Sequence, residues 1–310
     1  MLSFYNKKNF RSLSSQEYSE AESLKTKMLL SEIHKSTKEK FDDFNIQTSE
    51  IDSRAIIKKI LDLSDKDFIM DVKISLSNKE SEYLSKIVSQ RLSGKPLSRI
   101  FGSKEFFSMK FDINEFVLDP RPESEILVEK ALDLIQENNL KSILELGVGS
   151  GCIIAAILNN SIGTKAVGID ISEQAIMTAK SNLIKNEIKN FDLVLGDWGS
   201  CLDMTFDIIV SNPPYIKSND IKYLAKNVKD HDPLISLDGG NDGLDCYRVI
   251  ANQSASLIKD KGYILVEIGH DQAEGVEKIF GNNNFLLINK VKDYSNLDRV
   301  LIFVKKKIKK

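Results

Sequence analysis

The sequence predicts an α/β fold, with a mostly parallel seven-stranded sheet that ends in an antiparallel C-terminal hairpin and follows a small helical bundle. From Ser142 onward, short apolar runs alternate with helical patterns, as in sheets whose parallel strands are connected by helices. The last two apolar runs, 285–291 and 299–304, have no helix between them, which predicts the hairpin. Between Met28 and Ser93 apolar residues recur at a helical period, which predicts the bundle.

Changes in this pattern divide the chain. The predicted parts are a disordered lead-in at 1–27, a helical domain at 28–95, a β-hairpin linker at 96–122 and a catalytic domain at 123–310. In the linker, alternation over Met109–Ile113 with a turn around Asn114 predicts the hairpin. Asp52 and Ser77 stand where helix N-caps are useful.

The catalytic domain begins with a helix from Ser124 and then alternates. We predict strands at 142–146, 166–169, 191–195, 206–210, 262–268, 285–291 and 299–304, with helices at 151–158, 172–186, 244–258 and 272–280 between them.

Composition excludes several classes of protein. The 310 residues carry a net charge of −2, so no global basic field is available for nucleic acid. The three cysteines form no CxxC pair, which argues against a zinc site, and we expect no metal. No apolar run approaches the roughly 20 residues of a membrane span. We expect a cytoplasmic monomer, although a basic, serine-rich stretch before Glu17 leaves an organellar matrix open.

A glycine-rich loop follows the first predicted strand of the catalytic domain. Glycines 147, 149 and 151 let the backbone turn tightly and approach a ligand at the start of the next helix. The spacing is GxGxG instead of the GxGxxG of dinucleotide sites. Glu145, two positions before the first glycine, suits a cationic ligand with a free amino group, such as S-adenosylmethionine, better than a diphosphate.

The next two strands also end in residues that suit a nucleoside. Asp170 ends the second strand, 19 positions after Gly151, and can accept hydrogen bonds from both ribose hydroxyls. Asp197 follows the third strand and can accept from the adenine amino group, while Trp198 can cover the ring face. Alone, Trp198 would indicate a core aromatic, but its place in this series favours binding.

The fourth strand runs directly into Asn212-Pro213-Pro214-Tyr215. An amide nitrogen is a poor nucleophile because its lone pair is delocalised, and two acceptors that hold its N–H groups can direct that lone pair towards a methyl group. The Asn212 side-chain oxygen and the Pro213 carbonyl suit this role, in a loop that the prolines restrict. Tyr215 can stack on the planar acceptor and face a sulfonium. The alternative is a rigid turn without a catalytic role.

Several segments, taken in order, resemble the release-factor glutamine methyltransferases, the HemK/PrmC family. They are Gly-Lys-Pro-Leu-Ser-Arg-Ile-Phe-Gly (94–102), Arg-Pro-Glu-Ser-Glu (121–125), Glu-Leu-Gly-Val-Gly-Ser-Gly (145–151), Asn-Pro-Pro-Tyr (212–215) and Asp-Gly-Gly-Asn-Asp-Gly-Leu (238–244). The resemblance covers about residues 28 to 304. It implies a class I, Rossmann-like methyltransferase domain that methylates N5 of the glutamine in the Gly-Gly-Gln motif of class 1 peptide-chain release factors.

The resemblance also implies roles for matching residues. The expected S-adenosylmethionine site contains Gly147, Val148, Gly149, Ser150, Gly151, Asp170, Trp198 and Asn212. The expected glutamine site contains Asn212, Pro213, Pro214 and Tyr215, of which Asn212, Pro213 and Tyr215 are the catalytic residues. Two positions depart from the family pattern, Asp119 in place of an apolar residue and Ser124 in place of Thr, and neither is expected to affect the chemistry.

Other functions remain open at this point. An Asn-Pro-Pro-Tyr loop also serves DNA adenine-N6 methyltransferases, but base flipping needs a basic and aromatic recognition region, and basic residues from Ile51 to Glu82 are balanced by acidic ones. A ribosomal-protein glutamine methyltransferase differs at the Arg-Pro-Glu segment. A non-catalytic binding module is disfavoured by the presence of Glu145, Asp170 and Asn212. A dehydrogenase lacks a catalytic His or Tyr-Lys pair.

Overall fold

The computed structural model describes residues 27–306. These residues form two compact units, and the chain passes from the first to the second between Leu97 and Ser98. The predicted disordered lead-in, 1–27, lies outside the described residues except for Lys27. Among the helices of the described part, none is long and apolar enough to cross a membrane.

The first unit is helical, as predicted. Its elements are β1 (Met28–Leu29), α1 (Leu30–Asp43), α2 (Ser49–Leu61), α3 (Asp65–Ile69), β2 (Lys73–Ile74) and α4 (Asn78–Leu92). Leu30, Ile33 and Ile57 are buried at its centre. The strands β1 and β2 pair antiparallel and were not predicted, because two residues are too few to show an alternation.

One of the two predicted N-caps of this unit is wrong. Ser77 does cap α4, since its hydroxyl accepts the backbone N–H of Glu80 at 3.2 Å. Asp52 instead lies inside α2, where it is buried and accepts a hydrogen bond from Arg91 Nε at 2.7 Å. A buried carboxylate needs such a partner, so Asp52 joins α2 to α4 instead of starting a helix.

The short helix α5 (Leu97–Phe101) includes the residue at which the first unit ends, and the predicted hairpin follows it in the second unit, formed by β3 (Ser103–Phe106) and β4 (Met109–Asp112). Its turn is at Phe107 and Ser108, with φ of +50° and +59°, and the predicted turn around Asn114 is wrong. Residues with positive φ in such turns are usually Gly, Asn or Asp. Phe107 and Ser108 are none of these, so the sequence carries no local sign of the turn.

The remaining elements form the predicted seven-stranded sheet with its helices. They are α6 (Glu125–Asn138), β5 (Ser142–Leu146), α7 (Cys152–Asn160), β6 (Lys165–Asp170), α8 (Glu173–Lys185), β7 (Phe191–Leu195), β8 (Phe206–Ser211), α9 (Lys226–Lys229), α10 (Asp245–Leu257), β9 (Ile258–Glu267), α11 (Ala273–Asn282), β10 (Phe285–Lys292) and β11 (Asp298–Lys305). The strand order is β10-β11-β9-β8-β5-β6-β7. Of the seven strands, β11 alone runs in the opposite direction, antiparallel to both β9 and β10, so the predicted fold class is confirmed.

Alternate residues of the central strands pack on opposite faces of the sheet. On β5, Ile143 joins the core under α6, α7 and α8, whereas Leu144 joins the core under α10 and α11. Because both faces are covered, the central strands are apolar runs without a polar side. The carboxyl ends of the parallel strands therefore share one edge, and β5 lies between β6 and β8, where the strand order reverses. Ligands of open α/β sheets bind in the crevice at such a point.

Gly151 fixes the spacing between α7 and α8. It has a φ of +79°, and a Cβ there would lie 3.2 Å from both Cα and Cβ of Ala179 on α8. We expect Gly151→Ala to lower the free energy of unfolding by about 2–3 kcal/mol, from left-handed strain and crowding together, as measured by urea denaturation. Gly163→Ala is the control, since Gly163 has a similar φ of +76° and meets only the end of the Lys141 side chain at 3.9 Å. Equal losses in the two variants would show that Ala179 imposes no constraint.

Candidate active site

The glycine-rich loop after β5 is held by the end of β6. The backbone N–H groups of Gly147 and Val148 donate to the Ile169 carbonyl at 2.9 and 2.8 Å. The Asp170 carboxylate accepts the N–H of Gly149 through one oxygen and that of Ser172 through the other, both at 2.9 Å. Burial raises the pKa of Asp170. This carboxylate thus orders the loop, in addition to the hydroxyl-binding role that the sequence predicts.

Glu145 is buried behind the same loop. Its carboxylate accepts the N–H of Ile154 in the first turn of α7 at 2.9 Å. Burial raises its pKa well above the usual range, and the negative charge of Asp170 adds to the effect. A cation bound beside Glu145 would favour the ionised form.

Trp198 covers the loop from the end of β7. Its backbone has a φ of +50°, and its ring edge lies 3.9 Å from the position that a Cβ on Gly147 would occupy. Asp197 beside it is exposed. The indole is therefore placed where the backbone of the glycine loop turns, at the mouth of a cavity.

That cavity has a volume of about 300 Å³. We call it the donor cavity, because the residues predicted to bind the methyl donor line it. Nine of the predicted cofactor residues line it: Glu145, Gly147, Val148, Gly149, Ser150, Asp170, Asp197, Trp198 and Asn212. Gly151 is not in the lining, because its role is the close packing of α7. The sequence analysis missed the wall formed by Phe116, Val117 and Leu118 and the buried Cys152. Burial raises the pKa of that thiol to about 12, so Cys152 acts as an apolar wall.

Asp232 holds the segment Phe116–Leu118 in place through arginine side chains. This buried carboxylate accepts hydrogen bonds from Arg99, at 2.5 Å, and from Arg121, and Arg99 also donates to the Val117 carbonyl at 2.7 Å. Asp119, one of the two departures from the family pattern, accepts the Ser98 hydroxyl at 2.7 Å and lies outside both cavities.

The loop Asn212–Tyr215 follows β8 and packs against the glycines of the 238–244 segment. A Cβ on Gly239 would lie 2.8 Å from Tyr215 Cα, and one on Gly243 would lie 2.5 Å from the Tyr215 carbonyl oxygen. Gln272 donates from Nε2 to the Tyr215 carbonyl at 2.9 Å and to the Gly243 carbonyl at 3.1 Å. We call this arrangement the glycine clamp. It fixes the loop backbone without using the side chains of Asn212 or Tyr215.

The Asn212 side chain is held from another direction. Its Nδ2 donates to the hydroxyl of Ser124 at 3.0 Å, and that hydroxyl donates to Oε2 of Glu267 at 2.6 Å. Ser124, the second departure from the family pattern, thus contacts the Asn212 side chain directly, and its effect on the chemistry stays a prediction. Within residues 27–306, neither Asn212 Oδ1 nor the Pro213 carbonyl has a hydrogen-bond partner.

This loop also lines a second cavity of about 270 Å³, which we call the acceptor cavity. Pro213, Tyr215, Arg121, Glu123 and Glu267 contribute to its lining. Asn212 lines both cavities, whereas Pro214 lines only the donor cavity. A group bound in one cavity can thus meet a group bound in the other at Asn212.

Glu267 is the buried carboxyl group of the acceptor cavity. Burial raises its pKa to about 7, and the negative charge of Glu123 adds to the rise, while Ser124, Arg299 and Arg121 oppose it. Tyr215 lines the same cavity, and burial raises its pKa to about 12. Near neutral pH, Glu267 is therefore the group whose charge changes.

Two known families match the sequence. The family "Methyltransferase small domain" matches residues 122–228, and the family "PrmC N-terminal domain" matches residues 32–102. The release factor glutamine methyltransferase of Agrobacterium fabrum is 36% identical over 258 residues, which are 82% of this chain and 89% of that protein. That of Clostridium acetobutylicum is 34% identical over 290 residues, 91% of this chain and 99% of that protein.

Solved structures share the fold. A methyltransferase from Pyrococcus furiosus superposes with a TM-score of 0.50 and 17% identity, over 72% of this chain and all of that one. The catalytic domain of hMettl16 gives a TM-score of 0.53 and 14% identity, over 77% of this chain and 86% of that one. At these identities the likeness concerns the fold alone.

The raised pKa of Glu267 makes a testable contribution to stability. Its ordinary value is 4.5 and its folded value about 7, so between these values the folded protein holds the proton that the unfolded chain loses. Stability therefore falls as pH rises through this range, by about 3 kcal/mol for this group. Urea denaturation at pH 5 and pH 8 should show a smaller loss for Glu267→Gln than for the wild type. Glu145 also has a raised pKa, but it is present in both proteins, so its contribution to the pH dependence cancels in the comparison. Equal losses would contradict the shift.

Proposed function

The chain belongs to the family of release factor glutamine methyltransferases, and on this basis we propose that it transfers a methyl group from S-adenosylmethionine to N5 of a glutamine side chain. The acceptor that we propose is the glutamine of the Gly-Gly-Gln motif in class 1 peptide-chain release factors. The observation that carries the proposal is Asn212 at the boundary of two cavities, with its amide oxygen available to a ligand. The relatives described above confirm the family that the sequence motifs resemble.

The acidic lining of the donor cavity complements the positive charges of S-adenosylmethionine. Four carboxylates line it, from Glu145, Asp170, Asp197 and Asp238, against the single guanidinium of Arg121. A dinucleotide diphosphate would meet this negative lining unfavourably, whereas a ligand with a sulfonium and an amino group would be stabilised by it. The charge balance therefore supports the methyl donor over the dehydrogenase alternative. When bound, S-adenosylmethionine supplies an electrophilic methyl group.

The acceptor cavity fits a side-chain amide. We propose that Asn212 Oδ1 and the Pro213 carbonyl accept the two N–H groups of the substrate and so direct its nitrogen towards the donor cavity. The glycine clamp fixes the loop backbone at Tyr215, two positions after Pro213, before substrate arrives, and a preformed loop lowers the cost of reaching the reactive geometry. Tyr215 lines the acceptor cavity and stays neutral near pH 7, as stacking on the planar amide requires.

The attacking nitrogen becomes cationic as the C–N bond forms and the C–S bond breaks, and it then loses one proton. No residue has to remove that proton beforehand, because the product acid is strong enough to give it to water. Glu267 lines the acceptor cavity, but its carboxylate is engaged by Ser124. We therefore assign it no role as a general base.

Two alternatives are less well supported. DNA adenine would need a recognition region with basic and aromatic groups, and the matched relatives are named for a protein substrate. A ribosomal-protein glutamine methyltransferase would use the same chemistry at Asn212 on another protein, but it differs at the Arg-Pro-Glu segment, and the matched relatives are named for a release factor. The monomeric state and the cytoplasmic location stay predictions.

The test offers three acceptors to the purified protein with labelled S-adenosylmethionine. They are a class 1 release factor, the same factor with its Gly-Gly-Gln glutamine changed to alanine, and duplex DNA. We expect label on the unchanged factor only. Label on the alanine variant would place the modification elsewhere, and label on DNA would replace the proposed substrate.

Two substitutions distinguish an effect on methyl transfer from an effect on cofactor binding. We expect Asn212→Ala to lower kcat by a factor on the order of 100, the usual effect of losing one transition-state hydrogen bond, with little change in the Kd of S-adenosylhomocysteine. Asp170→Ala should weaken that binding, with a smaller effect on kcat at saturating donor. Calorimetry and the labelling assay measure both quantities.

The control for these variants is Asp192→Ala, which removes an exposed carboxylate on β7. It should leave both binding and turnover unchanged. Loss of cofactor binding in Asn212→Ala with normal kcat would mean that the loop has been assigned to the wrong ligand.

A further inference from the structure

We propose that Ser124 and Glu267 are positioning residues, which set the orientation of the Asn212 side-chain amide so that its oxygen, and not its nitrogen, faces the acceptor. This inference rests on the proposed function, because it names how the acceptor site is prepared. The geometry is a chain of two hydrogen bonds that runs from Glu267 through Ser124 to Asn212, at 2.6 Å and 3.0 Å.

The chemistry of the three groups fixes the direction of this chain. An ionised carboxylate can only accept hydrogen bonds, so the Ser124 hydroxyl must give its single hydrogen to Glu267. What remains on the Ser124 oxygen towards Asn212 is a lone pair. That lone pair attracts the Nδ2 group of Asn212, which is a donor. A flipped amide would instead place two acceptor oxygens against each other with no hydrogen between them.

The orientation matters because both ends of an asparagine amide have the same shape. The proposed substrate presents N–H donors, and only Oδ1 can accept them. If Nδ2 faced the acceptor cavity, it would oppose the substrate N–H groups. The glycine clamp does not prevent this error, since it holds the backbone of the loop and not the side chain of Asn212.

The surroundings keep this chain intact. Ser124 and Glu267 are only 2% and 1% exposed, so bulk solvent has little access to their hydrogen bonds, although Ser124 lines the donor cavity and Glu267 the acceptor cavity. Ser124 directly precedes α6, and Glu267 is the last residue of β9. The Tyr247 hydroxyl donates to the Glu267 backbone carbonyl at 2.8 Å. Glu267 therefore lies in a strand, and Ser124 lies directly before a helix.

A merely structural role is the competing explanation, in which Ser124 and Glu267 join α6 to β9 and the contact with Asn212 is incidental. The two roles differ in what Ser124→Ala does. A structural tie would change stability and leave the Asn212 amide as it is. A positioning role changes the amide and the turnover rate.

The experiment compares Ser124→Ala, Ser124→Thr and Asn212→Ala at pH 8, above the pKa of about 7 for Glu267. We expect Ser124→Ala to lower kcat about tenfold, the effect of about 1.4 kcal/mol, with the Kd of S-adenosylhomocysteine unchanged. Ser124→Thr keeps the hydroxyl and should recover most of the lost rate. Ser124→Ala added to Asn212→Ala should cost nothing further, because both act through one amide. A further tenfold loss in the double variant would overturn the proposal.

Ser254→Ala is the matched control. Ser254 is also a buried serine of this unit, and its hydroxyl has no hydrogen-bond partner among the described residues. It lines neither cavity. Its removal should leave kcat unchanged, so a loss of rate there would show that any buried Ser→Ala change disturbs the assay.

A second readout does not depend on turnover. In protein labelled with ¹⁵N-asparagine, the Asn212 side-chain amide signal is assigned by its absence in Asn212→Ala. We expect this signal to shift in Ser124→Ala and to stay in place in Ser254→Ala. An unmoved signal in Ser124→Ala would overturn the positioning role. Failure of the wild type to label the release factor would overturn the proposed function instead, and the amide signal would still decide the role of Ser124.

Discussion

The close approach of the 238–244 segment to the backbone of Asn212–Tyr215 is the constraint on which the site depends. Side chains at Gly239 and Gly243 would overlap the loop, so the segment reaches it only because these positions carry none. Gln272 then joins the two backbones by hydrogen bonds. Because these contacts hold the loop backbone, the Pro213 carbonyl and the Asn212 amide oxygen are not needed to hold the loop and can accept hydrogen bonds from a ligand. The rigidity that preorganisation needs thus comes from packing outside the two cavities.

The sheet brings the rest of the site to this loop. Since the parallel strands end at one edge, Glu145, Asp170 and Asn212 approach each other although 67 residues of chain separate the first from the last. The order of β6, β5 and β8 opens a crevice there. Carboxylates from three strand ends line the donor cavity, and Asn212 lines both this cavity and the acceptor cavity.

Sequence reasoning predicted the parts of the site that depend on local pattern. The periodicity of apolar residues predicts where the strands end. The glycine loop, Asp170 and Asn-Pro-Pro-Tyr each follow or end a predicted strand, and this position marked them as candidate site residues. Contacts between distant segments left no such trace. Ser124 and Glu267 are 143 residues apart, and each looks ordinary in its own surroundings. The hairpin turn was misplaced for a local reason, because Phe107 and Ser108 adopt positive φ without the usual residue types. Asp52 resembled a cap because its partner, Arg91, lies 39 residues away.

The pair of acceptors at the boundary of the cavities also bears on what happens after transfer. An unmodified glutamine amide has two N–H groups, and Asn212 Oδ1 and the Pro213 carbonyl can each take one. The N-methylated amide retains one N–H, so one of the two acceptors must lose its partner, at a cost of about 1–3 kcal/mol. The same geometry that prepares the substrate therefore weakens the hold on the product, which favours release of the modified side chain and opposes a second methylation.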